Sequence, residues 1–164
     1  MRTRFDPGRA AIRLLITFGL VSAQSPAIAV AFTKTAYCDW HAKEPGAIYD
    51  RIAIGQGDHL MITIDDPVFR SWGDSVGNTV ELSTNHSSRR VHIRDAWTDV
   101  VPQLSLLGGY LHAEARRLLG GAKSVQLWRR GELLVDVPLE NTPSTKQLNA
   151  CVPRYSHDDE AEEH

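Results

Sequence analysis

Two cysteines, Cys38 and Cys151, bracket almost all of the sequence that can fold, and they are the only cysteines of the chain. The sequence before them is typical of an export signal, and disulfides form and persist in the oxidising compartments to which such signals lead. We therefore predict one disulfide bond between Cys38 and Cys151, which would join the two ends of a single domain.

One short motif could present a nucleophile. Gly73-Asp74-Ser75-Val76-Gly77 matches the G-x-S-x-G pattern, in which a strained turn between a strand and a helix exposes a reactive serine. The residues that follow it, 78–82, favour a strand instead of a helix, and the chain is far shorter than an α/β-hydrolase normally requires. A serine nucleophile also needs a histidine base that a carboxylate orients. The groups that the sequence offers for these roles are His86, His92, His112, Asp95 and Asp99.

Because any chain of this length offers such a set, we interpret the motif as a glycine-bearing loop between strands. We predict no catalytic residue in this protein. The alternative is a small envelope hydrolase that uses Ser75 as its nucleophile.

Two segments contain residue types that bind metal ions. Asp39-Trp40-His41 places a carboxylate and an imidazole two positions apart, and the C-terminal segment from Ser156 to His164 combines two histidines with five acidic residues. Neither has the ligand spacing of a structural zinc site, and a cysteine in a disulfide is no ligand. We predict no metal site and no cofactor, and we interpret the acidic segment as a solubilising tail.

Four tryptophans, at positions 40, 72, 97 and 128, are candidates for the core or for a binding surface. Trp128 falls on the strand face opposite Val125 and Leu127, and two arginines follow it directly. The sequence predicts a binding surface formed by Trp128, Arg129 and Arg130.

The elements that would position these residues follow from the hydrophobic periodicity. Between Phe32 and Asp95, β-branched and aromatic residues alternate with turn residues, which predicts five or six short antiparallel strands. These strands are Phe32–Trp40, Ile48–Ile54, His59–Ile64, Val68–Trp72, Thr79–Ser83 and Arg90–Arg94. In the third of them Leu60, Ile62 and Ile64 should point into the core.

The period changes to about 3.6 residues beyond Asp99, where leucines at 104, 107, 111, 118 and 119 form one stripe. This predicts a helix whose safest segment is Tyr110–Leu119, ended by Gly120-Gly121. A hairpin should follow, with Val125 to Trp128 alternating before a turn near Gly131 and Leu133 to Val137 alternating after it. Thr142, as an N-cap before Pro143, predicts a short last helix that reaches Ala150.

The N-terminal 31 residues have the parts of a signal peptide in order: four arginines, an apolar run from Leu14 to Val21, and small-residue cleavage sites. The sites end at Ala23, Ala29 and Ala31, and we favour cleavage after Ala29 or Ala31. The apolar run is too short for a membrane span, which needs about 20 residues. An arginine pair is missing, so we expect the general secretory route instead of the twin-arginine route.

Charge excludes a nucleic-acid partner. Removal of residues 1–31 leaves 14 basic against 19 acidic residues, and five of these acids lie in the last seven positions. The body of the protein is therefore nearly neutral, without the basic face that a nucleic-acid binder shows. We divide the chain into a signal peptide (1–31), one exported domain (32–154) and an acidic tail (155–164) that is too polar to pack.

The C-terminal third has an order of features that is similar to one known family. It combines a Leu-rich helix (111–119), a small-residue link (120–123), a hairpin whose second strand ends in Val137-Pro138-Leu139, and a capped terminal helix. This order resembles the small periplasmic proteins of the invasion-associated locus B type. The chain has Glu140-Asn141-Thr142 where those proteins commonly carry a glycine, and they often hold further cysteines. The resemblance implies an exported β-sandwich-like domain with no catalytic residues to carry over.

Together these observations predict an α+β domain, mostly antiparallel β-sheet of sandwich-like form, with one central helix and one short C-terminal helix. We expect a binding or envelope-associated accessory protein in the periplasm of a Gram-negative bacterium. Its partner would be a protein or another envelope ligand, it would have no permanent membrane span after signal cleavage, and its oligomeric state stays open. An inhibitor or immunity protein of a periplasmic enzyme is a further alternative.

Overall fold

The computed structural model describes residues 28–152. The predicted signal peptide therefore lies outside the described residues except for its last four positions, and the predicted acidic tail lies wholly outside them. No helix within the described part is long and apolar enough to cross a membrane.

The described chain forms one curled sheet of eleven strands with two short α-helices. The strands are β1 (Val30–Ala36), β2 (Asp39–Lys43), β3 (Ile52–Gln56), β4 (Leu60–Asp65), β5 (Ser75–Asn78), β6 (Glu81–Thr84), β7 (Ser87–His92), β8 (Arg94–Val101), β9 (Leu104–Tyr110), β10 (Ser124–Arg129) and β11 (Glu132–Glu140). The helices are α1 (Ala113–Leu119) and α2 (Thr145–Asn149). This architecture confirms the predicted α+β class with a mostly antiparallel sheet.

The strand order is β5-β8-β9-β4-β3-β2-β1-β11-β10-β6-β7. Every neighbouring pair is antiparallel except β1 and β11, which run parallel over Val30↔Leu139 and Ala31↔Glu140. This short parallel contact joins the first and the last strand of residues 28–152. It thereby connects two antiparallel halves into one sheet.

The sheet curls around a single core because its strands alternate apolar and polar residues. Ile62 of β4 and Leu127 of β10, from opposite halves of the sheet, are both fully buried in the same hydrophobic cluster. The alternation of Leu60, Ile62 and Ile64 that the sequence predicted for the third strand is confirmed. Leu119 of α1 and Leu148 of α2 pack into the same cluster.

A 3-10 helix, Pro67–Trp72, closes one end of the core, where the sequence predicted a short strand, Val68–Trp72. Asp66 caps this helix by accepting a hydrogen bond from the Val68 backbone N–H at 2.9 Å, and Pro67 follows at the first helical position. Phe69 is fully buried there. The strand prediction was wrong because Asp66 and Pro67 favour the start of a helical turn more strongly than the apolar residues after them favour a strand.

The leucine stripe from Leu104 does not continue as a helix. Leu104–Tyr110 is strand β9, and α1 begins only at Ala113. Gly108 and Gly109 fix this choice: a Cβ on Gly108 would lie 2.2 Å from the Trp97 ring, and one on Gly109 would lie 2.3 Å from Ile93. The two glycines therefore let β8 and its neighbour pack directly on the backbone of β9.

Three further boundaries differ from the sequence prediction. The first predicted strand is two strands, β1 and β2, joined at Tyr37-Cys38, where Cys38 adopts a positive φ of 58°. The second begins only at Ile52, so Ile48 and Tyr49 lie in a loop. The last helix is capped by Ser144 instead of Thr142, through a capping box with Gln147. The hairpin of β10 and β11 lies where it was predicted.

Candidate functional site

An open groove of about 630 Å³ lies on the outer face of the sheet, the face turned away from the core. Small side chains of two neighbouring strands form its floor: Ala53 and Gly55 of β3 and Thr63 of β4. Tyr37 and Asp39 stand at one side and Met61 at the other. The volume falls within the range of about 300–1,000 Å³ that is typical of ligand sites. We call these residues the outer groove.

The floor is continuous because its residues share one register. His41 of β2 pairs with Ala53 of β3, and Ala53 pairs with Thr63 of β4, so their side chains lie in one row on the same face. The next residue in that row is Gly108 of β9, and the Trp97 ring lies directly over it. Trp97 therefore covers the outer face of the sheet at Gly108, the residue next to Thr63 in this row.

Asp39 is the charged residue at the rim of the outer groove. Its Oδ2 atom accepts hydrogen bonds from the Thr35 hydroxyl at 2.7 Å and from the His41 imidazole at 3.0 Å. Its Oδ1 atom lies 3.4 Å from the position that a Cβ on Gly55 would take. The Thr35 hydrogen bond, with help from His41, holds the pKa of the Asp39 carboxyl below its ordinary value. Asp39 thus presents a fixed negative charge over the floor.

His41 lies between two carboxylates. Its Nδ1 atom is 2.5 Å from Asp50 Oδ2, and its Nε2 atom is 3.0 Å from Asp39 Oδ2. The hydrogen bond to Asp50 is the main cause that raises the pKa of His41, and Asp39 adds to it. Both ring nitrogens donate only in the protonated imidazole, so this geometry favours the charged form. Lys43 lies 3.7 Å from the other oxygen of Asp50 and completes a chain of alternating charges.

The predicted disulfide forms one end of the outer groove. Cys38 and Cys151 are bonded, with their Cα atoms 5.4 Å apart and 113 positions between them in sequence. Cys38 lines the groove, and the neighbouring Tyr37 hydroxyl donates to the Ala150 carbonyl at 3.1 Å. The covalent bond therefore confirms the sequence prediction and also fixes the turn that holds Tyr37 at the rim.

The structure does not bring Trp128, Arg129 and Arg130 onto one surface. Trp128 is half-buried: its indole N–H donates to Ser83 Oγ at 2.8 Å, and the Arg90 guanidinium lies 3.7 Å from the ring centroid. Arg129 points the other way and stacks on Trp72 at 4.0 Å. Arg130 is exposed in the turn, with a positive φ of 52°. Trp128 instead lines a second, polar pocket of about 400 Å³ beside Arg90 and Gln126.

Ser75 is held in structural hydrogen bonds at the sheet edge. The Thr98 hydroxyl donates to the Gly73 carbonyl at 2.6 Å, so the Ser75 hydroxyl, 2.8 Å away, donates to Thr98. The Asn78 side-chain amide donates to Ser75 at 2.9 Å. The Ser75 hydroxyl proton is therefore engaged in a hydrogen bond to the Thr98 hydroxyl oxygen.

Two of the three histidines that were weighed as bases, His86 and His112, bond to backbone carbonyls. His86 is paired with the Gly121 carbonyl at 2.9 Å, and His112 with the His92 carbonyl at 2.8 Å. Imidazoles bonded to backbone carbonyls in this way hold loops and strand ends together.

Within residues 28–152, no group of three or more histidine, cysteine or acidic residues is arranged to hold a metal ion. The Asp39-His41 pair that the sequence suggested as ligands is used internally, because both ring nitrogens of His41 face carboxylates. Asp50 was absent from the sequence prediction. Asp50 lies in a loop, where no periodic pattern of residues predicts its position. In β2, by contrast, polar residues alternate with the buried Trp40 and Ala42, and this alternation predicts a polar outer face.

No protein-family model, curated protein or solved structure matches this chain. A functional conclusion must therefore rest on the geometry of the outer groove and on the sequence.

Proposed function

We propose that this chain is an exported, non-catalytic binding protein of the Gram-negative periplasm that holds a partner or envelope ligand in the outer groove. The observation that carries the proposal is the groove itself. A row of small side chains, in register across two strands, leaves a depression that the sheet does not need for its own packing. Aromatic, thioether and carboxylate groups surround it, which is the mixture that ligand sites use.

The electrostatics of the groove favour binding over acid–base catalysis. A general base must accept a proton near neutral pH, and the lowered pKa of Asp39 makes its carboxylate a weak base. The hydrogen bond to Asp50, with help from Asp39, raises the pKa of His41, which favours the protonated ring that donates from both nitrogens over the neutral ring that a base requires. The pair therefore acts as a fixed dipole at the rim.

Export is supported by the signal-like N-terminal sequence and by the disulfide, which is typical of oxidising compartments. Of the cleavage sites, the one after Ala29 leaves β1 whole. Val30 is only 1% exposed and pairs with Leu139, so cleavage after Ala31 would remove a buried strand residue. The order α1, β10, β11 and α2 is the order on which the resemblance to the invasion-associated locus B type is based, and that resemblance stays a prediction.

The first test concerns the compartment. The full chain, expressed in a Gram-negative host, should be recovered in the periplasmic fraction with Val30 as its first residue, with a cytoplasmic enzyme as the fractionation control. N-terminal sequencing would identify the cleavage site, and mass spectrometry without reductant would detect the disulfide bond. An uncleaved chain in the cytoplasm with two free thiols would overturn the assignment of compartment.

The second test concerns the groove. The immobilised mature protein should capture a ligand from envelope extract, and Ala53→Leu, which fills the floor, should abolish that capture. Thr33→Leu is the matched control, because Thr33 lies on the same outer face, in the row of His41, and does not line the groove. Identical capture by all three proteins would contradict the proposal. Loss with Trp128→Ala alone would move the site to the second pocket.

The third test separates binding from hydrolysis. Ser75→Ala should leave ligand capture unchanged, since Ser75 bonds only within the edge of the sheet in the contacts described above. Broad ester and amide substrate profiling that found turnover by the wild type, lost in Ser75→Ala, would replace our proposal with the hydrolase alternative.

A further inference from the structure

Residues of three neighbouring strands form one row across the outer groove. The register of β2 and β3 places Asp39 beside Gly55, and Gly55 pairs with Met61 of β4. Neighbouring strands lie about 4.8 Å apart, so the backbones that carry Asp39 and Met61 are about 10 Å apart. Because glycine has no side chain, the row has a gap at Gly55, with a carboxylate on one side and a thioether on the other.

One oxygen of the Asp39 carboxylate is available to a ligand. Thr35 and His41 both bond to Oδ2, whereas Oδ1 has no hydrogen-bond partner within the described part of the chain. Oδ1 lies 3.4 Å from the position that a Cβ on Gly55 would take, so it borders the gap. An ionised carboxylate accepts hydrogen bonds and does not donate them. A ligand group that binds to Oδ1 must therefore be a hydrogen-bond donor.

The surroundings of Oδ1 favour a donor that carries positive charge. Among residues 28–152, those that line the outer groove include no lysine and no arginine. Lys34 of the neighbouring strand β1 lies 5.7 Å from the ring centroids of Tyr37 and Trp40 and does not line the groove. His41 contacts Asp39 at the other oxygen, Oδ2. A cation bound to Oδ1 would therefore be closer to the carboxylate than to the imidazole.

The other walls of the gap suit an aliphatic chain. The Met61 sulfur lies 3.9 Å from the position of a Cβ on Gly57, so the thioether borders the groove. Methionine side chains adapt their shape to apolar groups. Tyr37, which is 72% exposed, adds an aromatic ring beside Asp39, and cations bind favourably to the faces of such rings. An aliphatic chain that ends in a cation would thus contact favourable groups on both sides of the gap.

We propose that the outer groove binds a primary ammonium group on a short aliphatic chain, with the ammonium at Asp39 Oδ1 and the chain against Met61. This inference rests on the proposed binding function of the groove and gives the chemical class of its ligand. A guanidinium is best matched by both oxygens of a carboxylate, and Oδ2 of Asp39 is already bonded to Thr35 and His41. A compact ammonium needs only Oδ1. Lysine side chains and free alkylamines both carry this group.

The test titrates the exported, processed and isotope-labelled protein with two pairs of probes and follows the amide chemical shifts. n-Pentylamine is compared with 1-pentanol, and a blocked Gly-Lys-Gly peptide is compared with the same peptide containing norleucine instead of lysine. Both amines should cause saturable shifts around Gly55, and added salt should weaken their binding, whereas the neutral probes should cause none. Tighter binding of the peptide would support a lysine side chain as the source, and tighter binding of pentylamine would support a free amine.

Two variants test the role of the carboxylate. Asp39→Asn removes the charge and keeps the side-chain shape, so it should weaken amine binding about tenfold or more. Asp50→Asn is the matched control, because it removes the same charge from the other partner of His41 and Asp50 does not line the groove. It should bind amines as tightly as the wild type or more tightly, since the Asp50 hydrogen bond is the main cause that raises the pKa of His41. Gly55→Val, which fills the gap and keeps the charge, should abolish binding.

Equal binding of the amines and their neutral analogues, or equal weakening by Asp39→Asn and Asp50→Asn, would overturn the inference. Capture from envelope extract separates this result from the proposed function. Loss of capture in Ala53→Leu but not in Asp39→Asn would leave the groove as the binding site and refute the ammonium ligand. Unchanged capture by Ala53→Leu would refute the groove itself. Amide shifts distant from the groove would verify the fold of each variant.

Discussion

Reduction of the disulfide should lower the free energy of unfolding more than any other single change considered for this protein. The bond closes 113 positions of the chain, from the β1–β2 turn to the end of α2. In the chain-entropy relation, a loop of this length lowers the entropy of the unfolded chain enough to contribute about 5 kcal/mol at 25 °C. The folded state changes little, because Cys38 and Cys151 are both buried and the Cys151 N–H is bonded to the Leu148 carbonyl at the end of α2.

The assay is urea unfolding of the wild type with and without reductant, followed by tryptophan fluorescence. Reduction should lower the free energy of unfolding by about 3–5 kcal/mol and raise the slope m, since an unfolded chain without the cross-link exposes more surface. The double variant Cys38→Ser, Cys151→Ser is the control, and reductant should not change its stability. Its own stability should lie near that of the reduced wild type.

A loss of less than about 1 kcal/mol on reduction, with the thiols verified as free, would refute this reasoning. It would mean that the unfolded chain keeps its two ends close together without the bond. In that case the sheet contact between β1 and β11 would be the feature to test next.

Three further changes should have measurable effects. Because the pKa of His41 is raised in the folded state, the stabilisation by Asp50 and Asp39 is fully present below the ordinary histidine pKa of 6.5 and is lost as pH rises through the folded value. Urea unfolding from about pH 5 to 9 should show this loss in the wild type, and a parallel profile for His41→Gln would contradict it. Gly108→Ala should cost about 1–3 kcal/mol because its Cβ would meet the Trp97 ring at 2.2 Å, whereas Gly55→Ala, with its nearest atom at 3.4 Å, should cost less. Thermal melts that showed equal losses for the two glycines would argue against this account of Trp97 packing. Ser144→Ala should cost about 1 kcal/mol by removing the capping box of α2, and the exposed Ser88→Ala should cost almost nothing in the same chemical unfolding assay.

The sequence predicted those parts of the fold whose signals are local. The hairpin of β10 and β11 follows from strict alternation on both sides of Gly131, and the third predicted strand follows from Leu60, Ile62 and Ile64. The disulfide was predictable because the two cysteines have no other partner in the chain. In each case neighbouring residues, or a unique pair, contain the whole signal.

The errors arose where distant residues decide the local structure. Leu104 and Leu107 match a helical stripe as well as a strand, and only the packing of Trp97 and Ile93 on Gly108 and Gly109 selects the strand. The outer groove has the same origin, since Asp39, Gly55 and Met61 meet only through the pairing of β2, β3 and β4. The contact of Trp128 with Arg90 has a similar origin, since alternation gives the side of the strand on which Trp128 lies but not the arginine of another hairpin that stacks on its ring.

The parallel contact between β1 and β11 also sets when the domain can fold. The first strand to be synthesised lies in the middle of the finished sheet and needs Leu139 and Glu140, more than a hundred positions later, as its neighbours. A chain that emerges from its N-terminus therefore cannot complete the sheet while its C-terminal third is still missing. Contacts of such long range are slow to form. This strand order makes completion of the sheet a late event in folding, one that waits for the C-terminal third of the chain.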